Sequence, residues 1–502
     1  MTKLTKFALA FALTMGLVAP AMAADLRIGL AEDPDLLDPD QARTFVGRIV
    51  FTSLCDKLVD ITPKLEIIPQ LATDWSWSDD GTVLTMDLRQ GVTFHDGTPF
   101  NAEAVLANID RSQHLPESRR QSELTSVQSA AATGEYQVTF TLASADATLL
   151  AQFADRAGMM MSPKALTEEG VDFSNNPVCS GPFKFVERIQ QDRIVLEKFP
   201  EYWNADKFAF DTITYLPIPD STVRLANVRS GDLDMLERLA ATDAKSVKDD
   251  TGLTYAEAVS LGYSGITINL ENGDAGDNPF GNEKLLRQAF SFAIDRDAIN
   301  QVVFNGAFAP GNQPYPPTSP WYNTSIPVPA RDIEKAKALM SEAGFESVDL
   351  TLTVPNSPET LQLAQVIQSM VSEAGFNVTI NATEFATMLS QQTAGNYEAD
   401  QVGWSGRVDP DGNIHQFVTC EGGINDTGYC NPEVDKLLNA ARTTTDTAAR
   451  KTAYDAALAI LNEDLPILYI YHQSWIWALN KGVTGFVPYP DGMIRLEGVS
   501  KS

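Results

Sequence analysis

The residues best suited to chemistry lie in one segment of the chain, Gly403 to Asn413, which reads GWSGRVDPDGN. Arg407 is its one cation, and a guanidinium can hold a carboxylate or a phosphate through two parallel hydrogen bonds. Trp404 offers an aromatic wall against which a ligand can pack. The segment therefore predicts a binding site for the anionic group of a small solute, with Ser405 as a further candidate contact.

Each of these residues also has a purely structural interpretation. Arg407 can instead form an ion pair with Asp409, Asp411 or another acidic neighbour, and Trp404 can be a core residue at the end of a strand. Asp409 is a candidate ligand contact, but Asp409 and Asn413 are also suited to shaping the turn through hydrogen bonds to the backbone.

Patterns that would indicate catalysis are missing from the sequence. The motifs GxxxxGK[ST], HExxH and GxSxG do not occur, and Ser405 lies in GWSGR, which lacks the final glycine of the last motif. Acidic pairs are expected in a chain with a net charge of -29 and do not by themselves indicate a glycosidase. The sequence predicts a binding protein, and the alternative is a secreted hydrolase on an α/β scaffold.

No metal or cofactor site is predicted. The chain has no CxxC, and its four histidines lie far apart. The acidic run from Glu271 to Asn278 lacks the distal glutamate of an EF-hand loop, so it is interpreted as a solvated turn.

Local structure is most clearly encoded between Leu71 and Asp110. Asp79 to Gly81 predicts a tight turn between two strands, and Asn101 predicts the cap of a helix that starts at Ala102. The stretch also resembles the signature of the peptide and nickel class of extracytoplasmic solute-binding proteins, similar to "LA..W..S.DG...TF.LR.GV.FHDG.PF.A.DV". These proteins are the receptors of ABC importers.

The resemblance covers nearly the whole chain and implies an α/β fold: a two-lobed periplasmic-binding-protein clamshell with a hinge, and a small extra subdomain in the first lobe. It implies the following division: 1–23 signal peptide, 24–66 first part of lobe I, 67–176 extra subdomain, 177–262 second part of lobe I, 263–481 lobe II, and 482–502 the return to lobe I.

Lobe II contains an internal echo, because SEAGF at 341–345 recurs at 372–376. Each copy predicts a helix that ends at a glycine and leads into a strand, Val348 to Val354 and Asn377 to Asn381. Helix and strand alternating in this way predict βαβ units and a mostly parallel sheet.

The resemblance also assigns residues to the cleft between the lobes, where ligands of such proteins bind. It places Phe45, Ser180 and Tyr263 there. In dipeptide receptors the position matching Arg407 is acidic and pairs with the ligand's ammonium group, and an arginine near Val354 to Gln368 binds its carboxylate. This chain has no arginine in that stretch.

Both departures favour a peptide-like, opine-like or other anionic solute over an ordinary dipeptide. A conventional dipeptide, oligopeptide or nickel-chelate receptor remains an alternative, as does presentation of the ligand to a chemoreceptor. The expected partners are the membrane permease subunits of an ABC importer. The receptor itself is expected to be monomeric, and its acidity argues against nucleic acid as a partner.

Four cysteines in an exported chain suggest two disulfides. Cys420 and Cys430 flank a glycine-rich loop, and dipeptide receptors have a similarly placed bridge. Cys55 and Cys179 then remain, either as a second bridge or as two buried thiols.

The first residues predict export to the periplasm. Lys3 and Lys6 precede the apolar run Phe7 to Val18, and Ala21 to Ala23 is a small-residue cleavage site, so the mature chain is expected to begin near Ala24. No later apolar run approaches the length of a membrane span.

Overall fold

The computed structural model describes residues 25–502. The predicted signal peptide and its cleavage site lie outside the described residues. The strands are β1 Asp25–Leu30, β2 Val59–Ile61, β3 Ile67–Pro69, β4 Ala72–Trp77, β5 Val83–Leu88, β6 Val127–Gly134, β7 Gln137–Leu142, β8 Phe183–Ile189, β9 Arg193–Lys198, β10 Thr212–Pro217, β11 Met235–Leu236, β12 Leu253–Val259, β13 Tyr263–Ile268, β14 Ala309–Pro310, β15 Val348–Pro355, β16 Phe376–Thr383, β17 Ala399–Trp404, β18 Ile467–His472, β19 Ser474–Asn480, β20 Val483–Thr484 and β21 Ser500–Lys501.

The α-helices are α1 Phe45–Leu54, α2 Ala102–His114, α3 Leu149–Phe153, α4 Pro163–Glu169, α5 Ser221–Ser230, α6 Ala244–Lys248, α7 Pro279–Asn282, α8 Lys284–Ala293, α9 Arg296–Phe304, α10 Ile333–Glu342, α11 Pro358–Ser372, α12 Phe385–Thr393, α13 His415–Val418, α14 Pro432–Arg442 and α15 Thr447–Asp464. Within residues 25–502, no helix is long and apolar enough to cross a membrane.

Two large sheets divide the chain into the two lobes of the predicted clamshell. A seven-stranded sheet, in the order β12-β19-β11-β1-β10-β9-β8, forms lobe I. A six-stranded sheet, in the order β14-β18-β13-β17-β15-β16, forms lobe II. A smaller four-stranded sheet, β4-β5-β7-β6, has its own apolar core between Leu58 and Met160 and forms the extra subdomain of lobe I.

The chain crosses between the lobes twice, and the two crossings are neighbours. Residues 260–262 join β12 to β13, and Gln473 alone joins β18 to β19. The amide of Ser260 donates to the Gln473 carbonyl at 3.1 Å, and His472 Nδ1 donates to the Gly262 carbonyl at 2.8 Å. Two adjacent short connections are the geometry of a hinge. The return to lobe I comes earlier than the predicted Lys481, because no turn signal marks the break between β18 and β19.

The sheet of lobe II is mixed, so the prediction of a mostly parallel sheet is wrong. β15 pairs in parallel with β16 and β17, but β13 is antiparallel to both β17 and β18. The reason is the hinge: the strand that enters the lobe and the strand that leaves it lie side by side and run in opposite directions. The predicted helix-strand echo is confirmed in α10-β15 and α11-β16.

The predicted hairpin and helix of the subdomain are confirmed. β4 and β5 pair antiparallel, and the Asn101 side chain accepts a hydrogen bond from the Ala104 amide at the start of α2. Both disulfides are also present: Cys420–Cys430 closes the loop between α13 and α14, and Cys55–Cys179 joins the end of α1 to the segment before β8. The alternative of two free thiols is therefore wrong.

Candidate functional site

A cavity of about 300 Å³ lies between the lobes. It is built from the ends of strands and the loops that follow them, which is where α/β sheets place their ligands. Lobe I contributes residues 31–33 after β1 and the loops after β10 and β11, while lobe II contributes residues 355–360 after β15 and the end of β17.

Four of the predicted contact residues line this cavity: Phe45, Tyr263, Trp404 and Ser405. The aromatic rings among them belong to two apolar surfaces, one on each lobe. Phe45 of lobe I stacks on Trp475, with ring centroids 4.3 Å apart. In lobe II, Phe417 makes edge contacts with Trp404 at 4.8 Å and with Tyr263 at 6.1 Å. The cavity therefore has an aromatic wall on each side.

Ser180 and Asp409 are placed elsewhere. Ser180 is fully buried and its hydroxyl donates to the Met160 carbonyl at 3.3 Å. Asp409 accepts from the Asp411 amide at 3.0 Å and forms an ion pair with Arg450 at 2.6 Å. Both side chains are used by the protein itself and neither lines the cavity.

Arg407 lies just behind the cavity wall and bridges the two lobes. Its Nε is 2.8 Å from Asp155 Oδ2 in the extra subdomain, and both side chains are 7% exposed. Its guanidinium lies over the Trp404 ring, 4.0 Å from the centroid. The backbone around it is held by Asn413, whose Oδ1 accepts from the Arg407 amide at 2.7 Å and from Trp404 Nε1 at 2.9 Å.

Two glycines let the hinge pack against this loop. A Cβ on Gly262 would lie 1.7 Å from the Trp404 carbonyl oxygen, and one on Gly406, whose φ is +88°, would lie 2.5 Å from Leu261. The segment that carries Trp404 and Arg407 is therefore in direct contact with the connection on which the lobes turn.

Arg407 belongs to a group of four buried arginines that we call the arginine cluster: Arg48, Arg120, Arg156 and Arg407. Asp155 pairs with Arg48 at 2.5 Å as well as with Arg407, and Glu123 pairs with Arg120. Two carboxylates thus face four guanidiniums. Arg120 and Arg156 line the cavity, and the Nε of each has no hydrogen-bond partner among the described residues.

The electrostatics of the cluster follow from this surplus of positive charge. Burial lowers the pKa of Arg407, and the neighbouring Arg48 lowers it further. The pKa of Arg156 is lowered by burial and by Arg120. Burial opposes ionisation of Asp155, but Arg407 and Arg48 outweigh it and hold the pKa of this carboxyl below its ordinary value. An additional anion beside the cluster would be stabilised by the same field.

Carboxylates collect in a different part of the cavity, around the loops after β1, β10 and β15, and we call this part the acidic end. Three carboxylates and two guanidiniums line it: Glu32, Asp33, Glu359, Arg224 and Arg238. Behind the lining, Arg188 pairs with Asp33 and Glu237 pairs with Arg238, so the acidic end comprises four carboxylates and three guanidiniums in all. Glu32 pairs with Arg238 at 3.0 Å, and Asp33 pairs with Arg188 at 2.9 Å. Burial raises the pKa of Glu359, which forms no hydrogen bond or ion pair with any residue in 25–502.

A third group ties the lobes together at the cavity rim. Arg43 of lobe I forms an ion pair with Asp426 of lobe II at 2.5 Å and donates to the Leu389 carbonyl at 3.1 Å. It also contacts Gln392 and Thr393. These contacts and the Arg407–Asp155 pair cross from one lobe to the other.

The family model for bacterial extracellular solute-binding proteins, family 5, matches residues 66–425, which is most of the chain. The chain belongs to this family. Family 5 receptors serve ABC importers, so this protein is a solute-binding receptor of that transport class.

Sequence relatives of this family 5 receptor are similar along most of their length. The glutathione-binding protein GsiB of Pectobacterium atrosepticum is 29% identical, with 99% of this chain and 98% of the relative covered. Its sequence relatives are named as binding proteins and not as enzymes.

Two solved structures share the fold. The dipeptide-binding protein of Pseudoalteromonas sp. SM9913, in complex with Met-Leu, has a TM-score of 0.87 at 26% identity, over 95% of this chain and all of that one. AgaA of A. tumefaciens R10, in complex with agropinic acid, has a TM-score of 0.85 at 26% identity, over 95% of this chain and 99% of that one.

Sequence reasoning on this family 5 receptor missed most of the charged lining. Arg120 precedes one short 3-10 helix of the extra subdomain and Arg156 begins another, neither of which has a distinguishing sequence pattern, and only the fold brings them to the cleft. Glu359 lies in the stretch 354–368, which lacks the expected arginine, and a carboxylate in that stretch is the sequence signal that indicates a change of charge there.

Proposed function

We propose that this receptor is periplasmic and captures a small, peptide-like solute whose anionic group lies against the arginine cluster. The observation that carries the proposal is the charge imbalance there, four guanidiniums against two carboxylates, all buried beside the cavity. Buried charge without a counter-charge is costly, and a ligand carboxylate or phosphate next to Arg120 and Arg156 would offset that cost.

The role proposed for Arg407 differs from a simple ligand contact. Its guanidinium is held by Asp155 and by the Gly406 carbonyl, while its Nη2 is buried without a hydrogen-bond partner among residues 25–502. It adds positive charge behind Arg120 and Arg156, and it links lobe II to lobe I. Binding of an anion and closure of the cleft are therefore coupled through one residue.

The transport step follows from this coupling. The ligand binds the closed form better than the open form, so it shifts the population toward closure. The permease subunits of the importer recognise the closed receptor and accept the solute, and the receptor acts as a monomer.

Export is the part of the proposal that rests on the first residues of the sequence. The mature chain begins near Ala24, after removal of the signal peptide. Mass spectrometry of the protein recovered from the periplasm tests this directly, because an uncleaved chain would retain the mass of residues 1–23. Gel filtration of the same material tests the monomeric state.

Thermal unfolding in the presence of matched compounds tests the ligand class. A ligand at 100 times its dissociation constant stabilises the folded state by about 2.7 kcal/mol. We expect stabilisation by anionic peptide-like and opine-like compounds, and weaker stabilisation in Arg407→Gln. Arg229→Gln, a change at an exposed residue that does not line the cavity, is the control. Stabilisation by cationic dipeptides alone would contradict the proposal.

A further inference from the structure

The charges that line the cavity balance in number but are separated in space. The lining includes five arginines and five carboxylates: Arg43, Arg120, Arg156, Arg224, Arg238, Glu32, Asp33, Glu359, Glu384 and Asp426. The positive surplus of the lining is at Arg120 and Arg156 of the arginine cluster. At the acidic end the three lining carboxylates outnumber the two arginines by one, and a further surplus carboxylate lies at the rim beside Arg43. Such a cavity suits a solute that carries both signs of charge.

We propose that the solute is dipolar and has one orientation: its anionic groups lie at the arginine cluster and its protonated amine lies at the acidic end, beside Glu359. This inference rests on the proposed function, because it takes the anion site as given and adds the second end of the ligand.

Glu359 is the lobe II carboxylate of the lining that no hydrogen bond or close ion pair within residues 25–502 already occupies. The other two carboxylates that lobe II contributes to the lining are already occupied. Both oxygens of Glu384 accept hydrogen bonds from backbone amides at the start of α12, and Asp426 pairs with Arg43. Glu359 has no hydrogen bond and no ion pair with any residue in 25–502, and it faces Arg224 and Arg238 across the cleft.

Lobe I supplies a second, independent sign of an unfilled acceptor. Asp33 lines the cavity and is only 6% exposed. Its Oδ2 accepts from Arg188 at 2.9 Å, but its Oδ1 has no donor among the described residues. A buried carboxylate oxygen without a donor is unfavourable unless a partner arrives. An ammonium has three donors to offer, so it can serve acceptors on both lobes.

The orientation is opposite to the one that the resemblance to dipeptide receptors implies. In those receptors an acidic residue at the Arg407 position takes the ammonium group, and an arginine near 354–368 takes the carboxylate. Here Arg407 stands at the position of the acidic residue, and a carboxylate, Glu359, lies in the stretch where that arginine is expected. Two surplus positive charges at one end and one surplus negative charge at the other favour a peptide-like compound with two carboxylates and one amine.

Matched dipeptides test the orientation by isothermal titration. Ala-Glu carries two carboxylates at one end and an amine at the other, N-acetyl-Ala-Glu lacks the amine, and the diamide of Ala-Glu lacks both carboxylates. Other X-Glu and X-Asp dipeptides are tested in the same three forms. We expect acetylation to weaken binding at least about tenfold, as for loss of one partner of a buried charge pair.

The variant Glu359→Gln tests whether Glu359 is the residue that binds the amine of the ligand. It should bind the free amine at least about tenfold more weakly and lose the preference over the acetylated form. Glu373→Gln, at the far end of the same helix and outside the cavity, should keep that preference. A purely structural role of Glu359 would lower the melting temperature without changing the preference.

The outcomes separate the two proposals. If the acetylated dipeptides bind as tightly as the free ones, or if only anions without an amine bind, the orientation is wrong and the anion site stands. If the diamides bind as tightly as the acids, the anion site itself is wrong and the orientation falls with it.

Discussion

Asp155 should be more important to the folded protein than Arg407, although the two form one ion pair. In Asp155→Asn, the buried guanidiniums of Arg48 and Arg407 both lose their carboxylate, at contacts of 2.5 and 2.8 Å. Removing one partner of a buried pair costs about 3–5 kcal/mol because the other charge is left uncompensated. We therefore expect Asp155→Asn to lose about that much unfolding free energy.

Arg407→Gln should cost only about 1–2 kcal/mol. It removes a charge-assisted hydrogen bond, worth about 1.5–3 kcal/mol, and a cation–π contact, worth about 0.5–2 kcal/mol, but Asp155 keeps Arg48. It also relieves repulsion between Arg407 and Arg48, which partly offsets the loss. The double variant should lose less than the sum of the two single variants, since its surplus of positive charge is smaller than that of Asp155→Asn.

Urea unfolding followed by tryptophan fluorescence and by circular dichroism measures these losses. Coincident curves from the two probes are required before a single free energy is assigned to a protein with two lobes. If Arg407→Gln loses as much unfolding free energy as Asp155→Asn, or more, the arginine cluster does not carry a surplus of positive charge. The anion site would then have no electrostatic basis.

Three further predictions concern closure, the disulfides and pH. Arg43→Ala removes four contacts between the lobes. We therefore expect a larger radius of gyration by small-angle scattering and about tenfold weaker ligand binding. A scattering profile identical to that of the wild type would contradict this. Loss of the Cys55–Cys179 disulfide should lower the unfolding free energy by about 2 kcal/mol more than loss of Cys420–Cys430, because the two bridges close loops of 124 and 10 residues. Equal losses of unfolding free energy in urea would contradict this. Burial raises the pKa of Asp400 to about 8, so the folded protein keeps a proton that the unfolded chain has lost. The unfolding free energy of the wild type, relative to Asp400→Asn, should fall between about pH 4, where the unfolded chain releases the proton, and about pH 8, and level off above, whereas a flat difference would exclude this.

Local structure and family were determined by the sequence alone. The hairpin with its capped helix, the SEAGF echo and the cysteine spacing depend on neighbours in the chain, and each is found in the structure. The motif between Leu71 and Asp110 also indicated the receptor class, because turns and caps demand particular residue types at fixed spacing.

The charge pattern of the cavity was decided by the tertiary structure. Arg407 is paired with Asp155, which is distant in sequence and comes from the other lobe, so no local pattern could identify its partner. The polarity of the cleft likewise depends on Arg120 and Arg156 from one subdomain and Glu359 from lobe II. Long-range electrostatics depend on distance in space, and only closure of the two lobes sets those distances.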